Sequence, residues 1–234
     1  RFNLIDTPGF SNFIADTISS IRVADNAVLV MSGHSEPKVI TEKTYNWATN
    51  ENIPTFIFVN QMDHEQADLN SSLENAEKSL GKRVVPLNIP VGSGGDFTIV
   101  VDLLTGKAFQ YDDGGNGKGK EVDIPSEISS DIETYRSNLF EFAAETSEDL
   151  LEKFLEEGEL SSQELIQGLK NGISDSTFLP ALFGCGLKNI GTDLLMRAIV
   201  DFGMNPLQRI SQTNISVLNE SGEESTISTD NNFR

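Results

Sequence analysis

Three short stretches of the chain carry residue types that can do chemistry, and each closes an apolar run. Asp6-Thr7-Pro8-Gly9 follows Phe2-Asn3-Leu4-Ile5, Asn60-Gln61-Met62-Asp63 follows Thr55-Phe56-Ile57-Phe58-Val59, and Gly184-Cys185-Gly186-Leu187-Lys188-Asn189 follows Phe178-Leu179-Pro180-Ala181-Leu182-Phe183. An acid that ends a strand at the carboxyl edge of an open α/β sheet stands where such sheets bind ligands. Asp6 there suits Mg²⁺ held through water, because that ion keeps several waters and takes a carboxylate or two with phosphate oxygens. Gly9, without a Cβ, lets its N–H approach a phosphate oxygen. The plain alternative for Asp-Thr-Pro-Gly is an ordinary turn.

The second stretch is more selective. One carboxylate, Asp63, can accept both the ring N–H and the exocyclic amine of guanine. Adenine lacks that pair of donors, and an unpaired carboxylate penalises the wrong base. Asn60 would tie the loop to neighbouring backbone, and the backbone N–H groups of Cys185, Gly186 and Leu187 could cap the guanine carbonyl oxygen. Each stretch alone is a weak signal; three in this order, each after a buried run, are specific.

The elements that must position them read as strand–helix alternation. Asn12 to Arg22 has near-helical apolar spacing with Ser11 or Asn12 as a cap. Ala27 to Met31 and Thr55 to Val59 are continuous apolar runs, the pattern of parallel strands buried on both faces. Helices are predicted over Thr41–Thr49 and Leu69–Leu80, so the opening third reads as doubly wound α/β. From Val91 to Asp175 the texture changes. Phe97–Leu104, Ala108–Tyr111 and the glycine- and lysine-bearing turn Asp112–Lys120 predict a small antiparallel sheet with a hairpin. Helices follow over Ser129–Glu157 and Ser161–Leu169, their acids forming a solvated face that could meet a basic protein. Phe178–Phe183 returns to a buried strand, Ile190–Phe202 to a helix, and Thr213–Leu218 is one weak strand in a polar end.

The 234 residues, with a formal net charge of −19, have the apolar content of a globular protein. No apolar run reaches a membrane span, and a cytoplasmic protein without a membrane partner is expected. Cys185 is the single cysteine, which rules out an internal disulfide and a cysteine-based zinc cluster. The acidity disfavours broad adhesion to a phosphate backbone, so DNA is not an expected partner and any RNA contact should be local or protein-mediated.

With these motifs in place, the sequence resembles the translational GTPases, most closely elongation factor G and its elongation-factor-G-like branch. The family's Asp-x-x-Gly is carried by Asp6 to Gly9, its Asn-Lys-x-Asp by Asn60-Gln61-Met62-Asp63, and its Gly-Ser-Ala-Phe/Leu-Lys-Asn by Gly184 to Asn189. The likeness runs through Val84–Leu87, Phe97–Leu104 and Gly191–Pro206, over nearly all of residues 1–206. It implies an α/β, P-loop NTPase-type G domain, a mostly parallel doubly wound sheet, over 1–90 and 176–206. An inserted α+β subdomain would occupy 91–175, and 207–234 would begin a β domain or form a tail. It also implies GTP/GDP and Mg²⁺ as cofactors, Mg²⁺ through water on Asp6. Asp6, Gly9, Asn60, Gln61, Asp63, Cys185, Gly186 and Leu187 would bind the nucleotide. The expected partner is the ribosome, its rRNA and proteins, met by a monomer during protein synthesis.

The departures carry expectations of their own. No Gly-x-x-x-x-Gly-Lys-Ser/Thr loop is present; in the family it precedes the Asp6 strand together with the first strands. The chain therefore reads as a piece of a longer protein, with an exposed sheet edge, marginal stability and little GTP binding by itself. Phe10 stands where elongation factor G has the His that orients the attacking water. A hydrocarbon ring offers that water no donor or acceptor, so slow hydrolysis is expected, and a GTP switch that binds a partner and hydrolyses little is the alternative function. Gln61 removes a cation that packs over the base, and Cys185 replaces Ser as a small packed loop residue. His34 and His64 read as exposed loop histidines. A ribosomal-protection or release-type translational GTPase is a further alternative. A nicotinamide dehydrogenase is disfavoured by the missing Gly-x-Gly-x-x-Gly.

Overall fold

A computed structural model describes residues 1–212, 216–218, 221–222 and 224–226. The backbone is irregular to Phe10, makes a 3-10 turn at Ser11–Phe13 and enters α1 (Ile14–Val23), which buries Thr17 and Ile21. Alternation then sets in with β1 (Ala27–Ser32), α2 (Val39–Asn50), β2 (Thr55–Asn60), α3 (Leu69–Leu80) and β3 (Val84–Pro86). An antiparallel run follows: β4 (Asn88–Val91), β5 (Ile99–Asp102), β6 (Lys107–Gln110) and β7 (Lys120–Val122). Three helices, α4 (Ser129–Ala144), α5 (Glu148–Glu157) and α6 (Ser162–Ser174), lead back to β8 (Leu179–Phe183) and α7 (Thr192–Phe202).

The first sheet has the order β1-β2-β8-β3, and every pair in it is parallel. Its two inner strands are the two most apolar runs, buried on both faces as parallel strands covered by helices must be. The second sheet has the order β4-β5-β6-β7. Residues of both sheets, Phe56, Ile57 and Phe183 with Val100, Val101 and Ala108, share one hydrophobic cluster. Buried Asn88 stitches the sheets together: its amide donates to Phe183 O (3.1 Å) and accepts from Phe183 N (2.7 Å). That fixes the end of β8 just before Gly184.

The strand expected over Phe2–Ile5 is not formed. Leu4 is 82% and Ile5 57% exposed, and residues 1–9 carry no regular structure. An apolar run becomes a strand only when a neighbour pairs its N–H and C=O groups. Among the described strands none lies beside it, and β1 pairs with β2 alone, leaving Val28 and Val30 exposed on the outer strand. The long helix expected over 129–157 is two helices, because Ser147 turns out of α4 and caps α5 by accepting from Leu150 N. The predicted helix from Ser161 runs on to Ser174, past Leu169, because its buried stripe continues through Gly172 and Ile173; a capping box of Ser161 and Glu164 starts it.

Residues Met204–Arg234 form a second unit. It contains α8 (Pro206–Gln212), started by reciprocal bonds between Asn205 and Gln208, and the antiparallel pair β9 (Ser216–Leu218) and β10 (Glu224–Thr226). The predicted strand over 213–218 is described only at 216–218, its remainder lying outside the described residues. No described helix is long and apolar enough to cross a membrane.

Candidate functional site

The carboxyl ends of β2 and β8 are locked together before either chain turns away. Gly33 N donates to Asn60 O (2.8 Å), and on the other side Gly184 N donates to Val59 O (3.0 Å) and Met62 N to Gly184 O (3.2 Å). These bonds continue the parallel ladders past the strands. Met62 is only 1% exposed and anchors the turn, while Gln61 is driven into the left-handed region (φ 66°), its Oε1 accepting from Ser32 Oγ at 2.9 Å. With Met62 inward, Asp63 emerges half-buried at the loop surface.

The loop after β8 is closed by its own backbone. Cys185 N donates to Ile190 O (3.0 Å), Ile190 N to Cys185 O (2.9 Å) and Asn189 N to Gly186 O (3.3 Å). Gly184 sits where no Cβ fits: one would fall 2.3 Å from Ile190 O and 2.8 Å from the Phe58 ring. The expected tie by Asn60 is present, its Oδ1 accepting from Gly186 N at 2.8 Å. Asp63 and the exposed Gly186–Leu187 turn thereby belong to one rigid rim.

Lys188 was not singled out from the sequence. Its Nζ lies 3.7 Å from Asp63 Oδ2, with a second contact to Gly95 O at 3.4 Å. A partly solvated pair of this kind contributes about 1 kcal/mol or less, so a base donor can replace the ammonium on the carboxylate. The Lys in the loop's own sequence was the available signal. Cys185 is buried; burial pushes its thiol up, with the Asp63 carboxylate adding to the rise and the Lys188 and Leu187 N–H groups opposing it. A buried, protonated thiol is a packed loop residue, as expected, and no nucleophile. His34 departs from its expectation. It is half-buried, its ring centroid 3.9 Å from that of exposed His64, and its Nδ1 is 3.3 Å from Ser32 Oγ.

The third stretch is built differently. Asp6, Gly9 and Phe10 lie in the irregular opening; Phe10 is 76% exposed, and Asp6 makes no hydrogen bond or ion pair with the described residues. Among the described residues no group of three or more metal-ligating side chains occurs. Asp6 alone therefore fits only an ion that draws its other oxygens from water and phosphate, which is the habit of Mg²⁺. The structure thus joins Asn60, Gln61, Asp63, Cys185, Gly186 and Leu187 in one rim and leaves Asp6, Gly9 and Phe10 without a fixed place in it. The rim presents one carboxylate, Asp63, beside an exposed turn, but the expected set of free N–H groups is not there: Cys185 N–H is given to Ile190 O and Gly186 N–H to Asn60 Oδ1, because the loop closes on its own backbone and on β2.

Comparison with known proteins points the same way. The elongation factor Tu GTP binding domain family matches residues 1–204. The elongation factor G-like protein of Thermotoga maritima is 36% identical over 203 residues, 87% of this chain and 29% of that protein. Elongation factor G 1 of Synechocystis sp. is 32% identical over 221 residues, 94% of this chain and 32% of that protein. A crystal structure of a Thermus thermophilus protein superposes with a TM-score of 0.79 at 27% identity, over 88% of this chain and 30% of that one. The chain spans about a third of the length of these relatives.

Proposed function

The chain belongs to the elongation factor Tu GTP-binding domain family, and on that premise we propose that it is the guanine-nucleotide domain of an elongation factor of the G type, acting on the ribosome with GTP and Mg²⁺. Residues 1–90 and 176–206 are the nucleotide-binding part, with 91–175 inserted and 207–234 opening a following domain. The observation that carries the reading is the 2.8 Å bond from Gly186 N to Asn60 Oδ1, which holds Asp63 and the Cys185–Leu187 turn in one rim. In this reading Asp63 takes the ring N–H and amine of guanine, the exposed Gly186–Leu187 turn lies at its carbonyl edge, and Asp6 holds Mg²⁺ through water beside Gly9.

Phe10 favours a second reading for the reaction step. An apolar ring cannot orient a water, and positioning is most of what a protein supplies to phosphoryl transfer. The domain then acts as a GTP-dependent switch that turns over slowly on its partner. The test is GTP turnover by the full-length protein with and without ribosomes, for the parent and Phe10→His. The switch reading expects parental turnover close to its ribosome-free rate and a gain on the order of 100-fold in Phe10→His on ribosomes. A parent already strongly stimulated by ribosomes would make it an ordinary elongation GTPase whose water is placed by another group. A parent that binds no GTP would overturn both.

A further inference from the structure

The base rim does not stand on β2 and β8 alone. The 3-10 turn at Gly94–Asp96 donates Gly94 N to Met62 O (3.3 Å) and receives Lys188 Nζ on Gly95 O (3.4 Å). The hairpin between β6 and β7 reaches the other side of the rim. Tyr111 donates its hydroxyl to Asp193 Oδ1 (2.7 Å), and Gly119 donates its N–H to Asp193 Oδ2 (3.2 Å). Gly117, at φ 74°, lies against Asn189 so closely that a Cβ there would fall 2.6 Å from the Asn189 side chain.

Asn189 is the residue that closes the Cys185 loop. It adopts φ 60°, places its N–H on Gly186 O and accepts from Thr192 Oγ1 at 2.6 Å. Asp193, in the first turn of α7, commits both carboxylate oxygens to the hairpin. Tyr111 is 3% exposed, and burial together with Asp193 holds its phenol far above the ordinary tyrosine range, so it remains a donor at any working pH. A second strap of similar chemistry, Arg197 to Asp102, joins α7 to β5 farther along the helix and touches no loop residue of the rim.

We propose that the Asp112–Lys120 hairpin, acting through Tyr111, Asp193 and Asn189, sets the position of the Cys185–Asn189 loop and so controls how long the nucleotide is retained. Tyr111 and Asp193 are positioning residues for the base. The inference rests on the rim being the guanine site, and its test separates the two.

The experiment measures release of N-methylanthraniloyl-GDP from the full-length protein by stopped flow, with thermal unfolding of each variant alongside. Tyr111→Phe keeps the ring and removes one bond; release should be about fivefold faster. Arg197→Met breaks the other strap and should lower the unfolding midpoint while leaving release unchanged. Tyr111→Phe combined with Asp193→Asn should accelerate release by less than the product of the single effects. Unchanged release in Tyr111→Phe, equal acceleration by Arg197→Met, or a multiplicative double variant would each overturn the proposal. Asp63→Asn, with release of the xanthosine diphosphate analogue measured beside that of the GDP analogue, decides the premise. If it fails to alter base preference, the rim is not the guanine site; if it alters preference while Tyr111→Phe leaves release unchanged, only the hairpin's role is lost.

Discussion

At the base end of the proposed nucleotide site, a strand on either side and a bond across the gap hold the loops; at the Asp6 end, an acid that likewise follows an apolar run lies on backbone with no ladder at all. Asn60, Met62 and Gly184 are fixed by four main-chain or amide bonds of 2.8 to 3.2 Å. Leu4 and Ile5, which should deliver Asp6, are more than half exposed. The two regions have comparable local sequence, an apolar run followed by an acid within a turn. The difference shows that such a motif becomes a site through pairing of the strand before it, and composition alone does not supply that pairing.

Breaking the base end should cost most where backbone meets backbone. Gly184→Ala would push a methyl against Ile190 O and the Phe58 ring, and urea unfolding should show a loss of about 3 kcal/mol. Next comes the bond across the rim. Asn60→Ala leaves both strands intact but frees the Gly186 turn, and calorimetric titration should show GDP affinity reduced on the order of tenfold. Stability should change far less than in Gly184→Ala; an equal loss would mean that Asn60 serves the fold and not the rim.

The smallest effect lies just beyond the rim, where Asp68 caps α3 and its own N–H reaches Gly33 O. The Ser71 N–H at 2.8 Å holds the Asp68 carboxyl below the usual range. Asp68→Ala should cost about 1 kcal/mol at neutral pH. Because the folded value is depressed, that contribution is complete above the unfolded aspartate pKa of about 3.9 and fades as pH falls through the lower folded value. Parent and variant curves of stability against pH should converge only in that acid window. Convergence already near neutrality would contradict the cap.

Much of this was legible in the sequence for a physical reason. β2 and β8 announce themselves because a strand buried on both faces must be continuously apolar, and α3 matches its predicted limits because Asp68 and Gly81 cap it. The Asn60-to-Asp63 stretch was readable because its strand was. The opening run misled because pairing belongs to a neighbour and not to the run itself. The break before α5 was readable after all, in Ser147 followed by Glu148 and Asp149. Other features had no local signal: His34 against His64, and the contacts of Tyr111 and Gly117, join residues brought together only by the fold.

The most direct test of the preformed guanine rim is a titration of GDP and xanthosine diphosphate against the full-length parent and Asp63→Asn. Xanthine carries a carbonyl where guanine has its amine, so an amide can donate to that carbonyl while accepting from the ring N–H. The parent should prefer GDP by on the order of 1000-fold, and Asp63→Asn should reverse the preference. A variant that still prefers GDP, or a parent indifferent to the base, would contradict the assignment of Asp63 and with it the site.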